Sequence, residues 1–149
     1  MLKSETSKAT GQLNIVVRDE SGKVKEDFTV PNLVVTTGLN FIASRMEDAS
    51  ASVMSHMAVG TGNTAAAAGD TTLGTEVSGA RVALDSGTAT GNDMVYVATF
   101  PAATGTAALT EAGIFNASSA GTMLCRTVFA VINKGATDTM TVTWTVTIS

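Results

Sequence analysis

The sequence predicts an all-β fold: an antiparallel β-sandwich, jelly-roll-like or immunoglobulin-like, with an N-terminal hairpin and one short helix. Three observations carry that prediction. The carboxyl end alternates apolar and hydroxyl side chains without interruption. About eight short segments of period two, at spacings of roughly 8–15 residues, are separated by Gly, Ser, Asn and Asp clusters. Only one segment shows helical periodicity, so the crossover helices of a parallel sheet are missing.

Met1 to Thr10 is polar and aperiodic and is expected to be a flexible arm preceding a single domain over residues 11–149. Gln12 to Arg18 alternates, with Leu13, Ile15 and Val17 on one side, and Lys23 to Val30 returns with Val24, Phe28 and Val30. Asp19-Glu20-Ser21-Gly22 between them supplies turn chemistry, giving a hairpin. Pro31 lacks a backbone donor and should end the second strand or leave it at an edge. Thr36 to Met46 predicts the helix, capped by Thr36 or Thr37, with Leu39, Ile42, Ala43 and Met46 on its apolar face and Phe41 close to it. Met46-Glu47-Asp48-Ala49-Ser50 ends it in polar residues.

Val53 to Val59 reads as a strand, and Gly60 to Asp70 as a long loop. Ala80 to Asp85 and Met94 to Phe100 predict a second hairpin across Ser86 to Asp93. Leu109 to Asn116 and Met123 to Val131 predict a third, turning at Ser118 to Gly121. In the last strand Met140, Val142, Trp144, Val146 and Ile148 alternate with Thr139, Thr141, Thr143, Thr145 and Thr147. One face of that strand must be buried, and β-branched threonine suits the pleated outer one.

Composition narrows the function. The chain has 149 residues, 44% hydrophobic and 15% charged, with a formal net charge of −4. That is too apolar for a disordered chain and offers no cationic excess for phosphates, so no nucleic-acid partner is expected. No run reaches the ~18–20 apolar residues of a membrane helix, and no membrane partner is expected. Met1 to Gly11 has no apolar secretory core, which predicts synthesis and retention in a cytoplasm. The lone Cys125 excludes an intrachain disulfide and reads as a small core residue.

Catalytic patterns are thin, and no catalytic, cofactor or metal residue is assigned. His56 is the only histidine and reads as a half-buried sheet residue, because a metal or nucleophile would need partners. Asp70, Glu76, Asp85, Asp93 and Glu111 could pair as a glycosidase requires, yet spacing selects no two, and they read as solvated turn or edge residues, with Glu111 ending a strand. Gly60-x-Gly62 lacks the remaining features of a phosphate cradle and reads as a flexible turn. Trp144, Tyr96 and Phe100 could stack a sugar if they faced outward, but their register places them in the core. Interaction surfaces remain. Uncharged hydroxyl faces avoid the cost of desolvating charge, so the candidates are Thr139, Thr141, Thr143, Thr145 and Thr147, together with Met1, Leu2 and Lys3 of the arm.

Three stretches carry a family resemblance: His56 to Glu76, Thr110 to Asn116, and Gly121 to Phe129 with the threonine-rich last strand. They resemble small β-domain structural proteins of tailed-bacteriophage virions, over roughly Gln12 to Ser149. The resemblance implies a structural role with no cofactor and no catalytic residues to carry over. Within it, a compact domain with a polar arm suits a capsid decoration (cement) protein that binds across major capsid protein junctions of the expanded head. A neck, tail or tail-fibre component is the alternative. Partners would be the major capsid protein or other virion proteins, in a virion assembled in the host cytoplasm. A homo-oligomer, dimer or trimer, is expected because edge strands pair readily.

Overall fold

The computed structural model describes residues 8–47 and 51–149. It is mostly antiparallel β-structure with one short helix. The elements are β1 (Ala9–Arg18), β2 (Val24–Val34), α1 (Thr36–Ser44), a single 3-10 turn (Arg45–Glu47), β3 (His56–Gly60), β4 (Val82–Ala83), β5 (Ser86–Thr90), β6 (Asp93–Phe100), β7 (Ala107–Phe115), β8 (Met123–Lys134) and β9 (Thr139–Ile148). The strands form one nine-stranded sheet in the order β4-β3-β7-β8-β2-β1-β9-β6-β5.

That order forces the sheet to curl. Its two end strands, β4 and β5, are consecutive in the chain and joined only by Leu84 and Asp85. Laid flat, nine strands would hold them about 38 Å apart, at ~4.8 Å per gap. Three extended residue steps reach only about 11 Å. The sheet therefore bends into two arms, β2-β1-β9-β6-β5 and β4-β3-β7-β8, which meet a second time where Leu33 and Val34 of β2 pair with Arg126 and Cys125 of β8.

The inward residues of both arms fill one core. Leu13, Ile15 and Val17 of β1, Tyr96, Ala98 and Phe100 of β6, and Met140, Val142, Trp144 and Val146 of β9 meet Met57, Val59, Leu109, Ile114, Cys125 and Ile132 from the other arm. Trp144, Tyr96, Phe100 and Cys125 are thus core residues, as expected, and burial pushes the Cys125 thiol pKa up. The β1–β2 and β7–β8 hairpins form as expected.

Several expectations need correction. Lys8 exchanges backbone hydrogen bonds with Ser149, and Ala9 and Thr10 belong to β1, so the last residues of the expected arm are sheet. Met1, Leu2, Lys3 and the rest of residues 1–7 lie outside the described residues, as do Asp48 to Ser50. β2 runs through Pro31 and does not end there, so the other expected outcome, a proline left at an edge, holds. It does so where β2 has no ladder on its β8 side, which begins only at Leu33, so the missing N–H costs no ladder bond there. The second hairpin is a different pair. β4 joins β3, while β5, inside the expected turn, pairs with β6 across Gly91 and Asn92.

The helix is real but rotated. Val35, not a threonine, occupies its N-cap position, and the Thr37 hydroxyl donates instead to the Met123 carbonyl at 2.9 Å. Of the expected face, Leu39 and Met46 are 45% and 90% exposed, while Ile42 and its neighbour Phe41 pack on the core as expected. Gly38 sets this orientation, because a Cβ there would stand 2.0 Å from the Leu124 carbonyl oxygen. The close approach of backbone to backbone overrides side-chain periodicity.

Candidate interaction face

Alternation in β9 puts its five threonines on the outer side of the first arm, and the sheet order puts them in its middle. Thr145 lies between Gln12 and Val95, Thr143 between Asn14 and Val97, and Thr141 between Val16 and Thr99. Further out come Thr29 and Pro31 on β2 and Ser86, Thr88 and Thr90 on β5. The result is a five-stranded face of hydroxyl, amide and valine side chains. Among the described residues, charges stand at its rim: Arg18 beside Thr139, Asp27 beside Val16, Asp93 beside Thr147, and Asp85 against Thr99.

Hydrogen bonding engages one end of the threonine ladder and spares the other four hydroxyls. The Thr147 hydroxyl donates to Asp93 Oδ1 at 2.7 Å, and Asn14 Nδ2 donates to Asp27 Oδ1 at 3.0 Å. The hydroxyls of Thr139, Thr141, Thr143 and Thr145 engage no side chain or carbonyl among the described residues. All five threonines are half-buried by their neighbours, which holds them in a flat array. Thr10, Gly11, Gln12, Thr145 and Thr147 line a shallow hollow of about 300 Å³ at one end. Such a surface offers neutral donors and acceptors at little desolvation cost.

The second arm is built oppositely. Its outer face is covered by the loop that follows β3, and the cover is riveted by charge. Glu111, in the middle of β7, is wholly buried. Its Oε1 accepts N–H bonds from Gly62 at 3.0 Å and Thr75 at 2.7 Å, and its Oε2 accepts one from Gly74 at 2.8 Å. Arg126 adds Nε at 3.0 Å and Nη2 at 2.8 Å to Oε2, reaches Asp70 Oδ2 through Nη1 at 2.8 Å, and donates to the Thr64 carbonyl. Burial alone would raise the Glu111 pKa; the N–H groups of Thr75 and Gly74, then Arg126 and Gly62, outweigh it and hold the carboxyl below its ordinary value. Asp70 is likewise lowered, first by the Ala67 N–H and then by Arg126.

This geometry corrects two sequence expectations. Glu111 neither ends a strand nor meets solvent. It pairs with a guanidinium that also holds Asp70, so the structure does bring those two acids to one place. Both are lowered and bonded, which is the wrong condition for a general acid that must carry a proton near neutrality. Gly60-x-Gly62 is not a loose turn either. A Cβ on Gly60 would lie 2.4 Å from both Glu111 Oε1 and the Thr75 carbonyl oxygen, and one on Gly62 2.7 Å from Oε1. The glycines let backbone N–H groups surround an anion, and the anion is the chain's own carboxylate. Leu73 seals the arrangement, packing with Val35, Ala58, Phe115 and Met123 in a second apolar cluster.

The remaining candidates are scattered. Glu76 pairs with Arg81 at 2.7 Å, whose guanidinium stacks 3.8 Å over the Phe115 ring. Asp85 accepts from Thr99 at 2.7 Å, and Asp93 from Thr147. His56 Nδ1 and Ser55 Oγ are 2.8 Å apart, with His56 half-buried on β3 as expected. No group of three His, Cys, Asp or Glu suited to a metal occurs among the described residues. A hollow of about 570 Å³, lined by Phe41, Met54, Leu84 and Tyr96 among others, shares no lining residue with the threonine ladder or the clasp. No protein-family model, curated protein or solved structure matches the chain.

Proposed function

We propose that this chain is a non-enzymatic structural protein of a tailed-bacteriophage particle, a decoration protein that cements the expanded head by binding across junctions of the major capsid protein. The observation that carries the binding is the five-stranded face, neutral inside its rim, with four uncommitted hydroxyls along its middle strand. The resemblance of His56 to Glu76 and of the last strand to virion β-domains supplies the setting. In this reading the two arms of the curled sheet are the layers of a sandwich, jelly-roll-like or immunoglobulin-like, and the bare outer layer is the docking side.

The mechanism is linkage. A protein that binds the assembled shell and not its free subunits stabilises the shell by mass action. Symmetry repeats each modest contact over many sites, so individually weak binding adds up. Hydroxyl and amide groups suit this role because a mismatch of neutral partners costs less than an unpaired buried charge. The test is co-sedimentation of purified protein with expanded heads lacking it, followed by heating. Wild type should pellet with the heads and raise their melting temperature, and Thr143→Arg should do neither while keeping its own fold. Binding to tails alone, or binding unaffected by Thr143→Arg, would overturn the reading.

A further inference from the structure

Among the described residues, the curled sheet leaves four stretches of strand edge open, and three of them are defended. On β2, Lys25, Glu26, Asp27 and Pro31 lie along the edge beyond the two-residue ladder to β8. On β8, four residue steps (Val128 to Ile132) span the distance that two (Leu109 to Glu111) span on β7, a bulge that breaks the pairing pattern. β4 is two residues long. Charge, proline, bulges and brevity are the devices by which soluble proteins stop stray strand pairing. β5 has none of them. Ser86-Gly87-Thr88-Ala89-Thr90 pairs with β6 in unbroken register, all five residues are exposed, and none carries a charge or is proline.

We infer that β5 is the pairing edge for a second copy of this chain, joined antiparallel about a two-fold axis at Thr88. The sequence of the strand chooses that occupant. In this register Ser86 faces Thr90 of the second copy, Gly87 faces Ala89, and Thr88 faces itself. Every cross-strand pair then matches hydroxyl with hydroxyl or small with small, which are favourable or neutral partners. Continuing outward, Asp85 faces Gly91, so the carboxylates of a chain carrying net charge −4 are kept apart. An isologous contact needs this self-complementarity. The inference stands on the comparison of edges and is independent of whether the protein decorates a shell.

A five-residue ladder is smaller than a standard interface of roughly 1,200–2,000 Å², so the dimer should depend on concentration. Analytical ultracentrifugation of the full chain from micromolar to millimolar concentration should show monomer passing to dimer. Thr88→Lys sets like charges opposite each other and should weaken association about tenfold; its unchanged thermal melt would confirm an intact fold. Thr88→Cys should form a covalent dimer on oxidation, and Ala89→Cys, which faces Gly87, should not. The only native thiol, Cys125, is buried and gives no background. A monomer at every concentration would overturn the inference, as would a dimer indifferent to Thr88→Lys, or equal cross-linking from both cysteine variants. Head binding is read separately, so either proposal can fail alone.

Discussion

The two arms treat their outer faces in opposite ways. Among the described residues, the β2-β1-β9-β6-β5 arm leaves its outside bare and neutral, with charge at the rim. The β4-β3-β7-β8 arm carries a buried Glu111–Arg126 pair and hides it under the loop between β3 and β4. The difference teaches where polarity serves cohesion and where, in the proposed function, it serves contact. Inside, charge orders a segment of glycine, alanine and threonine that has few apolar side chains with which to anchor itself. Outside, neutral hydroxyls keep a surface wettable and still coverable.

The sharpest way to break the contrast is at Glu111. Glu111→Ala leaves Arg126 buried with only Asp70 and a carbonyl for company and should cost about 3–5 kcal/mol of unfolding free energy. Glu111→Leu combined with Arg126→Met should cost less than Glu111→Ala alone, because no uncompensated charge remains. Urea denaturation of the three proteins decides this; a double variant as damaged as the single one would mean that the N–H bonds to Glu111, not the ion pair, hold the loop.

Next in size is Gly38→Ala. In an isolated helix this exchange would stabilise by roughly 1 kcal/mol. Here the added carbon would meet the Leu124 carbonyl, so a loss of about 1–3 kcal/mol is expected from strain. A stabilised variant would show that α1 can slide off β8 without penalty.

Acid should act on the covered arm. Glu111 and Asp70 have folded-state pKa values below their ordinary ones, so their contribution is present in full above the ordinary carboxylate range near pH 4. It is lost as pH falls through the lowered values, where the folded state must take up protons it resists. The acid limb of stability against pH should therefore be shallower in the Glu111→Leu, Arg126→Met protein than in wild type. Equal limbs would locate the acid sensitivity elsewhere, with Asp138, whose carboxyl is lowered first by Lys25, the next group to test.

The smallest effect on stability is expected on the bare arm. Thr143→Arg should change unfolding free energy by no more than about 0.5 kcal/mol, since the position faces outward. A larger loss in thermal melting would mean that the threonine ladder contributes to folding as well as to surface.

Much of this architecture is legible in the chain. β9 is readable because its alternation is unbroken, and β1, β2, β7 and β8 because turn residues stand between periodic runs. The helix face is misread because Gly38 answers to a carbonyl on a strand more than 80 residues away. β5 is missed because Ser-Gly-Thr-Ala-Thr has no apolar side to betray a strand. The clasp escapes because its meaning is tertiary: Glu111 is a single acid between Leu109 and Ile114, and only the fold brings Gly62, Gly74 and Arg126 to it. A charged residue interrupting an otherwise apolar strand, with two glycines close to one another upstream, was the available signal.

The Leu84–Asp85 joint has a consequence for how this shell can fail. Because the outermost strands are neighbours along the chain, curvature is written into connectivity and not merely into side-chain packing. While β4 and β5 stay paired to β3 and β6, the joint keeps the two rims within about 11 Å of each other whatever happens to the interior. Unrolling begins at a rim.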